Sequence, residues 1–190
     1  MRKAINVQPL RTTGEIQDMM TAIKRGKGGK KKRQAIAERD VMLFRFGINT
    51  GLRVSDILGL TVDQVKDKDF MKIKEQKTGK WRTVNLKGIK DEIQAYTEGK
   101  SGYLFPSQKG GQMTVTQAYR ILTDAGDLLD RDDIGTHTMR KTFGYHYYKK
   151  TQNVAALQDM LNHSTPATTR AYIGITQDDI NESLEGFRLG

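Results

Sequence analysis

Two arginines, two histidines and a late tyrosine in this chain are the residue types that a phosphate-splitting site needs if it works without a metal ion. They are Arg53, His137, Arg140, His163 and Tyr172. Arginine guanidinium groups bind the nonbridging oxygens of a phosphate in fork geometry. A tyrosine hydroxyl can attack phosphorus and hold it covalently, and histidines move protons near neutral pH.

Each of these residues also has an ordinary structural interpretation when it is taken alone. An exposed His–Arg pair, a packed tyrosine and a histidine at a helix junction are all common, and His146 is expected to be structural in this way. Arg53 is unfavourable beside a helix N-terminus unless an anion sits there. Asp56 either orients the Arg53 guanidinium or forms a simple surface ion pair. Lys77 is either a solvated turn lysine or a mobile general acid that reaches into a DNA groove.

Length and composition favour one compact domain that binds a polyanion. The 190 residues suffice for a single core, and the net charge of +10 with a pI of about 9.7 points first to DNA or RNA. A membrane partner is disfavoured, since the sequence has no long apolar run and no strongly basic amphipathic helix. With no cysteine, three histidines and no HExxH pattern, neither a metal nor another cofactor is expected. The N-terminus has no secretory apolar region, so we expect a cytoplasmic protein.

A run of basic residues between positions 24 and 33 holds seven cations in ten positions. Its glycines disfavour a stable helix, so we expect a solvated loop. Such a loop is also suited to contact the phosphate backbone of DNA. The predicted contacts in this run are Lys24, Arg25, Lys27, Lys30, Lys31, Lys32 and Arg33.

Hydrophobic periodicity and chain breakers predict a mainly α protein with a small antiparallel β-sheet, an α+β architecture. Strands are expected at 70–74 and 81–86, joined by the turn that carries Lys77. Thr136 is expected to cap the helix of His137 and Arg140, and Asn153 the helix that follows. The predicted helices are 13–24, 35–49, 54–60, 88–98, 114–130, 137–150, 153–161, 166–173 and 177–187.

Five short segments follow one another along the chain in a fixed order. They are Thr50-Gly51-Leu52-Arg53-Val54-Ser55-Asp56, Lys77-Thr78-Gly79-Lys80, His137-Thr138-Met139-Arg140-Lys141-Thr142, Leu161-Asn162-His163-Ser164 and Thr168-Thr169-Arg170-Ala171-Tyr172. Each segment alone is a weak signal. Their order and spacing together resemble the catalytic domain of the tyrosine recombinases, the phage-integrase family. The resemblance runs from about Leu10 to the C-terminus.

The resemblance implies a covalent mechanism with a role for each residue of the set. Tyr172 would attack the scissile phosphate and form a 3′-phosphotyrosyl link. Arg53 and Arg140 would hold the nonbridging oxygens. His163 would donate to the phosphate, and His137 would assist as general base.

The hairpin and its surroundings receive further roles from the same resemblance. Lys77 would protonate the departing 5′-oxygen, and Lys80 is the alternative if the register differs. Asp56 would support the arginine. Further DNA contacts are expected at Lys80, Arg82 and Lys141.

The resemblance also implies an organisation and partners. We expect an N-terminal arm at 1–12, a catalytic domain at 13–176 and a tail helix at 177–190, with no N-terminal core-binding domain in this chain. The partner would be double-stranded DNA at a specific site. The protein would be mostly monomeric when free and tetrameric on DNA, and the tail would dock either on its own domain or on a neighbouring subunit. Accessory DNA-bending or directionality proteins are further expected partners.

Two other functions share part of this pattern. A type IB-like DNA topoisomerase would use the same chemistry as a monomer, and a non-catalytic DNA-binding regulator would keep the fold alone. The complete set of reactive residues disfavours the regulator. The expected setting is a bacterial or phage-encoded protein of a mobile genetic element, in the cytoplasm and associated with the nucleoid.

Overall fold

The structure is a computed structural model that describes residues 6–27, 33–175, 179 and 188. It confirms the predicted fold class, since these residues are mainly helical and contain one small antiparallel sheet. The elements are α1 Thr13–Arg25, α2 Gln34–Thr50, α3 Val54–Leu58, α4 Val62–Val65, β1 Phe70–Lys74, β2 Trp81–Asn85, a 3₁₀ turn Lys87–Ile89, α5 Lys90–Thr97, α6 Val115–Asp127, α7 Thr136–Thr151, α8 Val154–Leu161 and α9 Pro166–Ile173. Residues 1–5 of the expected arm and the tail helix expected at 177–187, apart from Asp179, lie outside the described residues.

The N-terminal helices form one side of the main core. Thr12 caps α1, because its hydroxyl accepts from the backbone N–H of Glu15 while the Glu15 carboxylate accepts from the N–H of Thr12. Met19 of α1 and Phe46 of α2 are fully buried in this core. Helix α2 ends at Gly51, whose φ of 61° is the left-handed conformation that glycine adopts without a Cβ clash. Arg53 follows two residues later and starts α3.

The hairpin is the predicted one, and its register fixes which side chains face the protein. Phe70 pairs with Asn85 and Lys74 with Trp81, so residues 75–80 form the connecting turn. Met71, Ile73 and Val84 are buried against the main core. Alternate residues therefore point to solvent, as the period of two along a strand requires.

Helix α7 belongs to two apolar clusters. Met139, in its first turns, lies in the main core, whereas Tyr145 packs with Leu157 of α8 and Ile173 of α9 in a smaller C-terminal cluster. Tyr172 packs against this second cluster. One helix thus links the main core to the helix that carries the tyrosine.

One predicted helix cap is wrong and one is confirmed. The N-cap of α7 is Gly135 rather than Thr136, and the buried hydroxyl of Thr138 accepts from the Gly135 N–H. The hydroxyl that closes the first turn therefore lies inside the helix, which the usual capping rule does not anticipate. Asn153 caps α8 as predicted, through its side-chain oxygen and the N–H of Ala156.

Two negative findings hold for the same described part of the chain. None of its helices is both long and apolar enough to cross a membrane. No three of its His, Cys, Asp or Glu side chains form a group that could hold a metal ion.

Candidate active site

The hydroxyl of Tyr172 meets a histidine from another helix. Its Oη lies 3.0 Å from Nδ1 of His137, and the two rings are packed edge to face. The ring of His163 also packs edge-on against Tyr172, with centroids 4.8 Å apart. The structure therefore brings together the three residues that the sequence placed in different helices and at a helix end. Tyr172 is seated in the site of its own chain.

The two ends of the Tyr172–His137 contact have pKa shifts of opposite sign. Burial raises the pKa of Tyr172, although the cations of Arg140 and Arg53 partly offset this effect. Burial of the His137 ring, followed by the charges of Arg140 and Lys141, lowers the pKa of His137. Because His137 also sits in the first turn of α7, the positive end of the helix adds to this effect. At neutral pH a protonated phenol thus faces a neutral imidazole, which can accept its proton.

Arg140 is held rigidly inside the site. It is 3% exposed, and it donates from Nη1 to the carbonyl oxygen of Gly51 at 2.6 Å and from Nη2 to that of Leu161 at 2.8 Å. These two carbonyls lie at the ends of α2 and α8. Burial and the nearby Arg53 lower the pKa of Arg140 to about 10, so the guanidinium remains charged at neutral pH. Two helix ends therefore fix the direction in which this cation faces.

Arg53 has a partner that the sequence interpretation missed. Its Nη1 donates to Oε2 of Glu75 at 2.8 Å, and Glu75 is 3% exposed. Asp56 forms neither a direct hydrogen bond to this guanidinium nor a surface ion pair, because it is buried and its Oδ1 accepts from the backbone N–H of Gln76. Asp56 thereby ties α3 to the hairpin turn. The available signal for Glu75 was an acid directly after β1 in a turn rich in cations.

His163 is placed by the end of α8. Asn162 takes the left-handed conformation that ends this helix, and the backbone N–H of His163 donates to the carbonyl oxygen of Gln158. The His163 ring nitrogen Nδ1 lies 3.2 Å from the buried hydroxyl of Thr169. Burial, then the charges of Arg140 and Arg53, lower the pKa of His163. Its Nδ1 side is thus fixed by α9, the helix that carries Tyr172.

Lys77 lies on the exposed hairpin turn and lines a pocket together with three of the other predicted site residues. The pocket has a volume of about 230 Å³ and is lined by Arg53, Lys77, His137 and Arg140, among others. The Lys77 ammonium is close enough to contribute to the lowered pKa of His137. Lys80, the alternative, instead donates to Oδ1 of Asn162 at 3.0 Å. These positions favour Lys77 over Lys80 as the lysine that reaches the pocket.

The predicted DNA contacts fall in three environments. Lys24, Arg25, Lys27 and Arg33 are exposed, whereas Lys30, Lys31 and Lys32 lie outside the described residues. Lys141 donates to the carbonyl oxygen of Val7 and lies over the Tyr172 ring. Arg82 is also a predicted DNA contact; its side chain is 15% exposed and donates to the carbonyl oxygen of Thr50. Arg82 follows the exposed Trp81 in a strand whose side chains alternate, so it points inward.

The charges around the pocket do not cancel. The acids Glu75 and Asp56 interact electrostatically with this group of residues, and so do the five cations Arg53, Lys77, Arg82, Arg140 and Lys141. Arg53 contributes to the lowered pKa of Arg140, since like charges repel. A bound anion would relieve this repulsion. The arrangement fits a phosphate between two guanidinium groups, with a hydroxyl nucleophile beside it.

Comparisons with known proteins agree with this description. Residues 11–178 match the phage integrase family. The chain is 43% identical over 185 residues to the probable integrase/recombinase YoeC of Bacillus subtilis, covering 95% of this chain and 97% of that protein. It is 30% identical over 158 residues to tyrosine recombinase XerD of Corynebacterium glutamicum, covering 78% of this chain and 52% of that protein.

A solved structure shares the fold at low sequence identity. The XerH site-specific recombinase, crystallised as a post-cleavage complex with a palindromic difH substrate, superposes with a TM-score of 0.71 and 20% identity. The match covers 93% of this chain and 52% of that one. The chain thus spans about half the length of several proteins that it matches.

Proposed function

Because the chain belongs to the phage integrase family, we propose that it is a site-specific DNA recombinase that cuts and rejoins DNA strands through a 3′-phosphotyrosyl intermediate. The observation that carries the proposal is the 3.0 Å contact between Tyr172 and His137, beside the buried Arg140. A nucleophile, a proton acceptor and a phosphate-binding cation are thereby assembled in one chain.

The cleavage step balances with the residues present. The Tyr172 oxygen forms a bond to phosphorus while the bond from phosphorus to the 5′-oxygen breaks. The phenolic proton passes to Nδ1 of His137, and Lys77 supplies a proton to the departing 5′-oxygen. The product is a 3′-phosphotyrosyl bond and a free 5′-hydroxyl. Rejoining is the same step in reverse with another 5′-hydroxyl, so the energy of the phosphodiester is retained and no ATP is consumed.

The cations supply the stabilisation that phosphoryl transfer needs. Arg53 and Arg140 are held by Glu75 and by two backbone carbonyls before any substrate binds. Such preorganised charges are most effective in catalysis, since they need not reorient as charge develops on the phosphate oxygens. His163 would donate to the same phosphate. We propose that neither cleavage nor rejoining uses a metal ion.

Double-stranded DNA is the proposed partner. The net charge of +10 favours a polyanion, and the relative whose fold is shared was crystallised on its DNA substrate. We place the phosphate-backbone contacts in the basic run at 24–33 and around Lys80 and Lys141. The protein would be mostly monomeric when free and tetrameric on its DNA site, and residues 177–190 would connect neighbouring subunits. It would act on the nucleoid in the cytoplasm, together with accessory proteins.

The two other functions have less support. A regulator would not need Tyr172 and His137 in hydrogen-bonding contact. A topoisomerase would relax supercoils in plasmids without regard to sequence, which is an experimental distinction.

Covalent capture from cells tests the proposal and identifies the DNA site in the same experiment. The intact protein is expressed in a bacterial host, lysates are denatured in detergent, and DNA that remains attached to the protein is sequenced. We expect reads concentrated at one or a few sequences. The purified protein should leave a supercoiled plasmid without such a site unrelaxed. Covalent capture spread over the genome, together with relaxation of any plasmid, would instead assign a topoisomerase; no capture at all would contradict strand cleavage.

A further inference from the structure

A single buried carboxylate joins two parts of the site. Glu75 follows β1 directly, and its Oε2 accepts from Nη1 of Arg53 at 2.8 Å and from the hydroxyl of Thr78 at 2.9 Å. Arg53 belongs to the start of α3, whereas Thr78 lies next to Lys77 in the hairpin turn. One oxygen atom is therefore shared between the phosphate clamp and the segment that presents the lysine.

The backbone of Glu75 fixes the same turn. Its N–H donates to the carbonyl oxygen of Lys80 at 2.9 Å, and its carbonyl oxygen accepts from the N–H of Gly79 at 2.8 Å. Gly79 has a φ of 67°, so the chain reverses there in a left-handed conformation. Side-chain and backbone contacts of Glu75 together determine where the Lys77 turn stands relative to Arg53.

The carboxylate is more than a stabilising ion pair. Burial would raise the pKa of Glu75, but hydrogen bonds from Thr78 and Arg53 outweigh it and lower that pKa, so the group is ionised. Its other oxygen, Oε1, lies 3.8 Å from Nη1 of Arg82, and neither atom has a hydrogen-bond partner in the described part of the chain. A buried ion pair is by itself weak evidence of a stabilising role, because the cost of removing its charges from water offsets their attraction.

We infer that Glu75 is a positioning residue that couples the Arg53 guanidinium to the Lys77 turn, so that the phosphate clamp and the general acid take up their working positions together. This inference rests on the proposed strand-cleavage function. It predicts that loss of the Glu75 charge impairs both partners, whereas loss of the Thr78 hydroxyl impairs only the lysine. The pair of variants therefore separates coupling from a purely structural role.

The test uses single-turnover cleavage of a nicked suicide substrate built on the captured DNA site. One version carries the ordinary 5′-oxygen and the other a bridging 5′-sulfur, a leaving group that needs no protonation. Glu75→Gln keeps the size of the side chain and removes its charge. Thr78→Val, the matched control, removes the side-chain hydrogen bond between the turn and Glu75 while leaving the Glu75–Arg53 pair.

We expect Glu75→Gln to cleave ordinary DNA about 100-fold more slowly, the scale of a misplaced catalytic group. The sulfur substrate should restore only part of that loss, because the defect at Arg53 remains. Thr78→Val should cleave ordinary DNA about 10-fold more slowly, because only the lysine turn is misplaced. Its cleavage rate should recover fully on the sulfur substrate.

Three results would overturn the inference. They are Glu75→Gln rates within about twofold of the unmutated protein, full rescue of Glu75→Gln by sulfur, or no rescue of it at all. Thermal melting checks that Glu75→Gln is folded. If it is not, Thr78→Val alone tests the inference: an unchanged rate of cleavage of ordinary DNA by Thr78→Val would contradict the coupling between Glu75 and the Lys77 turn. Failure of the proposed function looks different, because the unmutated protein would then form no covalent product on either substrate.

Discussion

The hydroxyl of Tyr172 lies 3.0 Å from Nδ1 of His137, although 35 positions separate the two residues in the chain. Packing of α9 against α7 and α8 brings the tyrosine there, through the cluster of Tyr145, Leu157 and Ile173. Tyr172, the proposed nucleophile, thus lies beside His137, its proposed proton acceptor. We expect each subunit to cleave with its own tyrosine.

The contact predicts a dependence of cleavage on pH. Because the pKa of His137 is lowered from its ordinary value of 6.5, the imidazole is neutral at pH 7 and becomes protonated at more acidic pH. The second-order rate constant of suicide-substrate cleavage should therefore be level near neutrality and fall at acidic pH, with a midpoint below 6.5. His163, which also has a lowered pKa, remains a donor when protonated and should not cause this fall.

The variant His137→Gln separates the two histidines. It should cleave more slowly and lose the acidic fall, since no base at this position is left to titrate. An unchanged acidic fall in His137→Gln would assign the titration to another group.

Lys77 is predicted to be the general acid. Lys77→Ala should cleave ordinary DNA about 100-fold or more slowly, the usual contribution of a positioned acid, and a bridging 5′-sulfur should restore the rate. Lys80→Ala is the matched control from the same turn, and its Nζ is engaged by Asn162. Rescue that follows Lys80→Ala instead would transfer the role to Lys80.

The basic run at 24–33 is predicted to contact DNA phosphates. Neutralising Lys30, Lys31, Lys32 and Arg33 should flatten the plot of log K against log salt, by roughly 0.9 for each contact that is lost. The control variant carries the same net charge, because four lysines that lie away from the site are neutralised instead. These are Lys66, Lys68, Lys87 and Lys100. Equal slopes for the two variants would mean that only overall charge matters.

Gly144 is predicted to be essential for the close approach of α7 and α9. A Cβ at this position would lie 2.6 Å from Cγ2 of Ile173, the neighbour of Tyr172. Gly144→Ala should destabilise the fold by about 1–3 kcal/mol, a drop in Tm of several degrees, and should slow cleavage by displacing the tyrosine. Gly88→Ala is the control, because a Cβ there meets nothing within 4 Å. Equal melting temperatures would show that the helices adjust without strain.

Sequence reasoning reached the elements that depend on local rules. The hairpin at 70–85, the end of α2 at Gly51 and the cap at Asn153 follow from alternation, glycine conformation and side-chain capping, and all are present. Through the family resemblance, the sequence also predicted four of the residues that line the pocket, which are Arg53, Lys77, His137 and Arg140. Their mutual distances depended on the packing of α7, α8 and α9, which no local rule specifies.

The differences at the charged residues share one physical cause, which is that burial of charge depends on tertiary contacts. The sequence does not single out Glu75 over Asp56 as the partner of Arg53, because each acid has a cation within three positions along the chain and spacing alone does not choose between partners. Arg82, a predicted DNA contact, is largely buried and donates to the carbonyl oxygen of Thr50. A charged residue in a short strand is usually exposed, and only the packing of the hairpin on α2 reverses that expectation.

The most direct measurement of the central claim is covalent trapping with Tyr172→Phe. A nicked suicide substrate carrying the captured site is incubated with each protein, and the products are separated in denaturing detergent. The unmutated protein should form a DNA-linked species, while Tyr172→Phe should bind the same DNA with similar affinity and form none, since only the attacking oxygen is missing. A covalent adduct that persists in Tyr172→Phe would contradict the assignment of Tyr172 as the nucleophile.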